Sequence, residues 1–370
     1  MNRGYNFGAG PAMLPEDLLR EVQSELLNWQ GLGMSVLEIG HRTPEFIQLM
    51  NEAERLLQSL LTIPDNYHVL FLGGPARLQF GMIPLNFIKK GQQAGYLISG
   101  IWSSLAYDEA CRLKTAYCVA SSEQNDFRSV PSSSKWSIKE NTAYLYYTPN
   151  ETINGVRCAS VPKDILRLAH DDKSIPLIAD MTSCLLTEPI NVADYAMIFA
   201  GAQKNIANAG LTVIIIRDDL LKTINDSSLP TLLDYRTHVT HKSLYSTPPT
   251  FNCYMALKMF QWIEKQGGVE NLYKINVKKA TSLYQYIDAS SFYQCKIAND
   301  SRSLVNVCFT LANPSLEELF LKEATMNGLL ALKGHKTVGG LRASMYNSMP
   351  LQGVEKLIAF MDDFARVYKP

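Results

Sequence analysis

The stretch that decides the fold runs from Tyr195 to Arg217 and reads YAMIFAGAQKNIANAGLTVIIIR. It opens with an apolar run, residues 196–200, that has the length and composition of a buried strand. Small residues and the pair Gln203-Lys204 follow, and after a polar loop a second apolar run covers residues 213–216. One lysine therefore lies just past the end of a core strand. Most lysines are solvated, but loops held by a rigid scaffold also provide functional groups.

Other apolar runs of the chain end in the same way, with small or polar residues directly after the strand. Residues 68–72 lead into a glycine turn at 73–77 and then into a helical pattern, an order that directs backbone N–H groups at a phosphate. The remaining runs are 96–99 before Trp102, 143–147 before Thr152 and 176–179 before Asp180. Strands that alternate with helices predict an open, largely parallel α/β sheet with these polar groups along one edge.

The two ends of the chain have a different pattern. Apolar residues at helical spacing predict a first helix from about Pro15 to Trp29 and a second helix that ends at Leu61. Beyond Pro249 we predict a helix over 250–266, strands at about 293–297, 303–311 and 342–346, and further helices. These elements indicate a smaller α+β domain of ordinary size against which the N-terminal segment packs. The predicted domains are residues 16–258, and 259–370 together with 1–15.

The composition excludes several classes of protein. The chain has 370 residues, of which 46% are hydrophobic and 19% charged, as in soluble globular proteins of two domains. Lys+Arg and Asp+Glu both number 35, so no net field attracts nucleic acid or an anionic membrane. We see no secretory signal and no membrane span. The seven cysteines are scattered without a CxxC pair, which favours reduced thiols in the cytoplasm and no metal site.

Five groups at the predicted strand ends share one chemistry: the turn at 73–77, Trp102, Thr152, Asp180 and Lys204. A phosphorylated, cationic aromatic aldehyde would use all of them. Its phosphate would lie on the glycine turn and its ring against the indole. A carboxylate would keep the ring nitrogen protonated, and the aldehyde would condense with the lysine. Taken singly, each group has a plainer interpretation as a packing or solvated residue, but together they predict a cofactor site.

Longer segments carry a resemblance to a known family. They are NFGAGPAMLP (6–15), IGHRTPEF (39–46), GIW (100–102), TPNETINGV (148–156), AGAQKNIANAGLT (200–212), STPPTF (246–251) and LKGHKTVGGLRASMYNSMPLQGV (332–354). On these segments the chain resembles the phosphoserine aminotransferases, which use pyridoxal 5'-phosphate, over nearly its full length. The resemblance implies the type I fold of pyridoxal-phosphate-dependent transferases. That fold has a large domain around a mainly parallel seven-stranded sheet and a smaller C-terminal α+β domain.

The resemblance also implies roles for individual residues, position by position. Lys204 is expected to be the Schiff-base lysine, Asp180 to face the pyridine nitrogen and Trp102 to stack on the ring. The other implied cofactor ligands are Ala76, Arg77, Thr152 and Gln203, with Ser246 and Thr247 reaching over from the second subunit of a homodimer. The implied substrate ligands are His41, Arg42, His335, Lys336 and Arg342.

The sequence departs from the family pattern at four places. The turn that often reads GGG-R-G in the family reads GPARL at residues 74–78 of this chain. Pro75 has no N–H to donate there. Ser246 stands where many relatives have asparagine, and Ala9 where a bacterial relative has serine. Lys336 stands where arginine is common. None of these positions takes part in the covalent chemistry.

The implied reaction is the reversible transfer of an amino group between L-glutamate and 3-phosphohydroxypyruvate, which gives 2-oxoglutarate and O-phospho-L-serine in serine biosynthesis. The residue types suit it, since a lysine can move a proton at Cα and Arg342 can bind a carboxylate bidentately. The basic residues at 41–42 and 335–336 suit a second anion at the far end of the substrate. Use of 4-phosphohydroxythreonine, in pyridoxine biosynthesis, stays open.

Two other kinds of function remain as alternatives. One is another enzyme of the same fold, either a serine–glyoxylate-type transaminase or a cysteine desulfurase. A desulfurase needs a loop cysteine near the cofactor, and none of the seven cysteines lies in such a segment. The other is a non-catalytic module that binds pyridoxal phosphate, which would have lost its lysine or gained a nucleic-acid-binding extension.

Overall fold

The computed structural model describes residues 3–159, 175–226 and 228–368. Its strands, in chain order, are β1 (Tyr5–Asn6), β2 (Tyr67–Gly73), β3 (Gln93–Ile98), β4 (Ala116–Ser121), β5 (Thr142–Tyr147), β6 (Asn150–Glu151), β7 (Val156–Arg157), β8 (Leu177–Asp180), β9 (Met197–Gly201), β10 (Leu211–Arg217), β11 (Tyr293–Gln294), β12 (Asn306–Leu311), β13 (Leu329–Leu330) and β14 (Leu341–Ser344). The α-helices of the same residues are α1 (Glu16–Glu25), α2 (Pro44–Leu61), α3 (Gln79–Phe87), α4 (Ile101–Leu113), α5 (Asp218–Leu221), α6 (Tyr235–Thr240), α7 (Thr250–Lys265), α8 (Gly268–Ala289), α9 (Glu317–Met326) and α10 (Leu351–Tyr368).

The centre of the fold is a seven-stranded sheet in the order β2-β10-β9-β8-β5-β3-β4. Strand β10 pairs antiparallel with both of its neighbours, β2 and β9, and every other pair is parallel. The carboxyl ends of β2, β3, β5, β8 and β9 therefore meet at one edge of the sheet. This arrangement confirms the predicted α/β fold with a mainly parallel seven-stranded sheet.

Both faces of this sheet are buried, which explains why its strands are continuous apolar runs in the sequence. Side chains alternate between the faces along a strand. Val213 and Ile215 of β10 accordingly belong to one hydrophobic cluster, and Ile214 and Ile216 to a second one on the opposite face. Among the described residues, no helix is long and apolar enough to cross a membrane.

The C-terminal part of the chain has its own three-stranded sheet, β11-β12-β14, and its own hydrophobic cluster, to which helices α8, α9 and α10 contribute. The N-terminal segment joins this part because β1 pairs in parallel with β13. Phe7, fully buried, belongs to the same cluster. The boundary predicted between residues 258 and 259 lies inside α7, and the division into domains at that point stays a prediction.

Two elements differ from the sequence prediction. The first helix ends at Glu25 rather than near Trp29. Trp29 lies instead in a short 3₁₀ turn in which Gln30 has a φ of 51°, and its ring packs edge-on against Tyr254, 6.2 Å away between centroids. The strand predicted at 293–297 is only the two residues of β11, because β12 offers partners to Tyr293 and Gln294 alone.

A fully buried lysine fixes the segment that follows β14. Lys279 on α8 donates hydrogen bonds to the carbonyl oxygens of Met345 (3.1 Å), Tyr346 (2.8 Å) and Met349 (2.9 Å). Burial lowers the pKa of Lys279 to about 7. Three carbonyl oxygens match the three N–H donors of an ammonium group, so the lysine ties α8 to the backbone of residues 345–349.

Replacement of this lysine is expected to destabilise the protein. Lys279→Met keeps the length of the side chain but leaves three buried carbonyl groups without their donor, at a cost of about 3 kcal/mol or more. Urea unfolding followed by circular dichroism measures the loss. The control is Lys278→Met, one residue away on an exposed position of the same helix, which should change stability by less than about 0.5 kcal/mol. Equal effects of the two substitutions would contradict the assigned role.

Candidate active site

A cavity of about 240 Å³ opens at the edge where the strand carboxyl ends meet. The cofactor ligands predicted from within one chain all line it: Ala76, Arg77, Trp102, Thr152, Asp180, Gln203 and Lys204. They are far apart in the sequence and come together because each follows a strand of the sheet with the same direction. The cavity is thus where the predicted residues meet.

Lys204 lies in the turn between β9 and β10 and is only 8% exposed. Its Nζ donates a hydrogen bond to the hydroxyl oxygen of Thr152. Burial lowers the pKa of Lys204 to about 8; the Asp180 carboxylate opposes this shift and the Arg342 guanidinium adds to it. A lysine amine with such a pKa is partly neutral near pH 7 and can act as a nucleophile or a base.

Asp180 is the last residue of β8 and is 5% exposed. Its Oδ1 accepts a hydrogen bond from the backbone N–H of Thr182 at 3.0 Å. Burial raises the pKa of Asp180, whereas the bonds from Thr182 and the nearby Lys204 favour the charged form. A buried carboxylate that lines a cavity suits a cationic ring nitrogen, which would compensate its charge.

The turn after β2 offers backbone N–H groups to the cavity. Ala76, Arg77 and Leu78 form a 3₁₀ turn that leads directly into α3, and the first N–H groups of a helix have no acceptor within it. Gly201 allows the side chains of Ala76 and Gln203 to approach closely. A Cβ at this position would lie 2.6 Å from Gln203 Oε1 and 3.1 Å from Ala76 Cβ. The turn is therefore a candidate phosphate site.

Unpaired polar atoms in the cavity wall test whether the predicted cofactor fits. The indole Nε1 of Trp102 and the hydroxyl of Thr148 are both buried and have no hydrogen-bond partner among the described residues. Buried polar groups are almost always paired in folded proteins, so these two atoms point to a bound group with acceptor atoms. A phosphorylated hydroxypyridine has such oxygens. The residues present fit pyridoxal phosphate.

A second cavity, of about 600 Å³, is lined by His335, Arg342 and Ile153, the residue after Thr152 of the first cavity. Arg342 lies on β14, and its Nη1 donates to the carbonyl oxygen of Thr152 at 3.4 Å. Its Nε is buried without a partner among the described residues, so this edge of the guanidinium is available to a ligand. Burial, Arg342 and Lys336 together lower the pKa of His335. The cavity suits an anion.

The remaining predicted residues do not line either cavity of the single chain. Arg42, Lys336, Ser246 and Thr247 are exposed. His41 is half-buried, and its ring Nε2 is buried without a partner among the described residues. The cluster predicted from His41, Arg42, His335 and Lys336 is thus not assembled around one cavity within one chain, and the roles of these residues stay predictions.

The prediction missed two residues that support the cavity. Asn150 donates to Ser183 Oγ and to Asn306 Oδ1, both at 2.8 Å, and so joins the sheet edge to β12. Glu151 is fully buried and accepts hydrogen bonds from the start of α4. Both belong to the segment TPNETINGV that was singled out in the sequence, but their partners, 33 to 156 residues away, could not be read from it.

The arrangement provides the parts of an amine-transfer site. An amine of lowered pKa, a carboxylate and an aromatic side chain line one cavity, and an arginine whose Nε has no partner among the described residues lines a larger one. The described residues contain no group of three His, Cys, Asp or Glu side chains that could hold a metal ion.

Comparison with known sequences gives a match over almost the entire chain. Residues 4–357 match the class-V aminotransferase family. The phosphoserine aminotransferase of Legionella pneumophila subsp. pneumophila (strain Philadelphia 1) is 58% identical over 365 residues, which are 99% of each chain.

Solved structures agree with this match. The phosphoserine aminotransferase from Bacillus circulans subsp. alkalophilus superimposes with a TM-score of 0.94 at 42% identity, over 99% of each chain. The pyridoxal-phosphate-bound phosphoserine aminotransferase from Trichomonas vaginalis superimposes with a TM-score of 0.91 at 38% identity, over 97% of this chain and 100% of that one. The predicted resemblance is confirmed.

The lowered pKa of Lys204 predicts how the site responds to pH. Condensation with an aldehyde needs the neutral amine, so the rate at which the ligand-free protein captures pyridoxal phosphate should rise with pH, with a midpoint near 8. Absorbance in a stopped-flow instrument follows the capture. Arg342→Gln removes a cation that lowers the pKa and should move the midpoint upward. A midpoint near 10, that of a solvated lysine, would show that Lys204 is not buried as described.

Proposed function

Because the chain belongs to the class-V aminotransferase family, we propose that it is a pyridoxal-phosphate-dependent enzyme that transfers an amino group between L-glutamate and 3-phosphohydroxypyruvate. The products are 2-oxoglutarate and O-phospho-L-serine. The observation that carries this proposal is the full-length match to phosphoserine aminotransferases, together with a buried lysine at the floor of the matching cavity.

The cofactor, when bound, supplies an aldehyde and a ring that takes up the electrons of the broken Cα–H bond. The protein supplies the groups around it. Lys204, which the Thr152 hydroxyl orients, holds an amine that can accept and return the proton of Cα. Asp180 favours a proton on the ring nitrogen. Trp102 offers its indole face to the ring, and the turn at Ala76 and Arg77 offers N–H groups to the phosphate.

The second cavity would hold the substrate. The free edge of Arg342 suits its α-carboxylate, because a guanidinium binds a carboxylate through two parallel hydrogen bonds. Hydrogen bonding to Thr152 O keeps Arg342 next to the residue that orients Lys204. The carboxylate site and the proton-transferring amine are thus coupled through Thr152, which suits a reaction at Cα.

The assay that tests the proposal gives the purified protein glutamate and 3-phosphohydroxypyruvate and measures 2-oxoglutarate. Lys204→Ala should abolish turnover, because no other amine lines the cavity within the described residues. Lys278→Ala serves as a control that removes an exposed lysine of α8 and should keep turnover. One parallel assay contains serine and glyoxylate instead of the two substrates. A second replaces 3-phosphohydroxypyruvate with the ketone related to 4-phosphohydroxythreonine. Turnover with serine and glyoxylate but not with the phosphorylated substrate would overturn the proposed substrate.

We also propose a cytoplasmic homodimer with shared active sites. His41, Arg42, Ser246 and Thr247 do not line the cavities of their own chain, so they would serve the cavities of a second copy. Exposed apolar side chains lie in the chain segment around His41 and Arg42, and they are Leu27, Leu32, Met34, Leu37 and Ile47. Such exposed apolar groups are typical of surfaces that bind another protein.

Mixing two inactive variants tests the shared site. We expect Lys204→Ala and the double variant His41→Ala/Arg42→Ala to be inactive alone. In a hybrid dimer one of the two sites has both its own Lys204 and the intact basic residues of the other chain. Random exchange should restore about a quarter of the wild-type activity. As a control, the triple variant Lys204→Ala/His41→Ala/Arg42→Ala mixed with Lys204→Ala should restore no activity. Absence of recovery in exchanged dimers would show that the residues act within one chain.

Lys336 gives a test of how the phosphorylated substrate is held. An ammonium is a point charge, whereas the arginine common at this position binds two oxygens in a fixed geometry. A charge-assisted hydrogen bond is worth about 1.5–3 kcal/mol, so Lys336→Ala should weaken the phosphorylated substrate by about ten- to a hundredfold. Lys336→Arg should be nearly neutral.

The glutamate half-reaction should suffer less from Lys336→Ala, because its distal carboxylate carries a single charge. Single-turnover titration of each half-reaction separates the two effects. If alanine weakens both substrates equally, or neither, Lys336 is an ordinary solvated lysine.

A further inference from the structure

A carboxylate that the proposed reaction does not use lies buried beside the cofactor cavity. Glu151, on the short strand β6, has no exposed surface. We propose that Glu151 is a positioning residue that fixes the backbone of Trp102 and thereby the indole face against which the cofactor ring lies. This inference rests on the proposed function, because it takes Trp102 as the neighbour of the ring.

The contacts of Glu151 are with the first turn of α4. The backbone N–H of Trp102 donates to Oε2 at 2.9 Å, and the N–H of Ser103 donates to Oε1 at 2.8 Å. The Ser103 hydroxyl also donates to Oε1, at 2.6 Å. Asn154 Oδ1 accepts from the N–H of Ile101 at 3.2 Å. Side chains from one short segment thus occupy the N–H groups of this turn, which a helix otherwise leaves to water or to an anion.

The hydrogen bonds at the start of α4 limit where the cofactor phosphate can bind. A phosphate cannot use the N-terminus of α4, because Glu151 already accepts hydrogen bonds from its N–H groups. The phosphate would be directed to the turn at Ala76 and Arg77, which also lines the cavity. Because Glu151 fills the N-terminus of α4, this helix contributes the indole of Trp102 to the cofactor site and does not bind the phosphate.

The position of Trp102 depends on this anchor. Its indole Nε1 has no hydrogen-bond partner among the described residues, so its backbone and its packing on the neighbouring hydrophobic cluster set the ring. Gly100 allows the close approach of Glu151, since a Cβ there would lie 2.4 Å from both Cγ and Cδ of Glu151. The backbone at Gly100 is extended, so space and not conformation requires the glycine.

The hydrogen-bond donors around Glu151 require a side chain with two acceptor oxygens. Burial raises the pKa of Glu151 to about 7, the hydrogen bonds from Ser103 and Trp102 oppose this, and Asp180 adds to it. The other charged group that acts on this region is Lys204, on the turn after β9. An amide in place of the carboxylate has one oxygen only, so it would face the N–H of Trp102 or of Ser103 with a donor instead of an acceptor.

Glu151→Gln tests the role while it keeps the volume of the side chain. The affinity for pyridoxal phosphate is measured by titration of the protein freed of its cofactor, and circular dichroism of the cofactor band reports its surroundings. We expect affinity to fall about three- to tenfold, the worth of one aromatic pair, with a changed dichroic band. Ser103→Ala, the control, removes a donor to the same carboxylate and the acceptor of the Ser99 and Gly100 N–H groups, but leaves the bond from the N–H of Trp102 to Glu151 in place. It should lower the melting temperature but change affinity by less than about twofold.

A double-mutant cycle with Trp102→Ala identifies the route of the effect. If Glu151 acts through the indole, Glu151→Gln should cost little further affinity once the indole is gone. Equal losses with and without the indole, or a lower melting temperature with unchanged affinity and dichroism, would overturn the inference. If Trp102→Ala alone leaves affinity unchanged, the proposed ring contact is wrong instead. Should Glu151→Gln not fold, Glu151→Asp keeps the charge but is too short to reach both N–H groups, and the same outcomes apply.

Discussion

An amine that must react while neutral has to be kept from water, and the burial of Lys204 meets this requirement. The sheet makes it possible. Lys204 follows β9 and precedes β10, which runs antiparallel to both of its neighbours in the seven-stranded sheet, so the chain turns back at the sheet edge and Lys204 lies in that turn. The neighbouring strands then bring Thr152 and Asp180 to the same edge. The proton transfer proposed for Lys204 would therefore depend on strand direction more than on any single contact.

Buried polar side chains join this edge to the C-terminal part of the chain. Asn205, the residue after Lys204, accepts a hydrogen bond from the backbone N–H of Asn347 at 3.1 Å. Asn347 in turn accepts from Asn276 at 2.8 Å, and Asn276 lies one turn before Lys279 on α8. The network is not fully paired, since Asn205 Nδ2 and Asn276 Oδ1 are buried without a partner among the described residues, but its hydrogen bonds join two distant parts of the chain. Here they hold the segment after Arg342 in a fixed relation to Lys204.

The sequence allowed the strand ends to be predicted because they are local features. A buried parallel strand is an apolar run, and the residue that follows it is read directly, as with Asp180 and Lys204. The family resemblance then supplied roles that no pattern in the chain contains. Glu151 and Lys279 could not be assigned in this way, since a glutamate and a lysine in the sequence look solvated until the fold brings donors or carbonyl groups to them. Trp29 shows a similar limit, because its helical spacing is overridden by packing against Tyr254.

The two ends of the substrate site differ in how far one chain completes them. Arg342 lies beside Thr152 with an Nε that is unpaired among the described residues, so the end proposed to bind the α-carboxylate would be built from the same chain as Lys204. The far end holds His335, while His41 and Arg42 lie elsewhere on the chain. The chemistry common to both substrates takes place at Cα, and the anions that differ are at the far end. In the proposed dimer the common part would be rigid and the variable part would come from a second chain, so the site could accept a carboxylate and a phosphate in turn without a movement of Lys204.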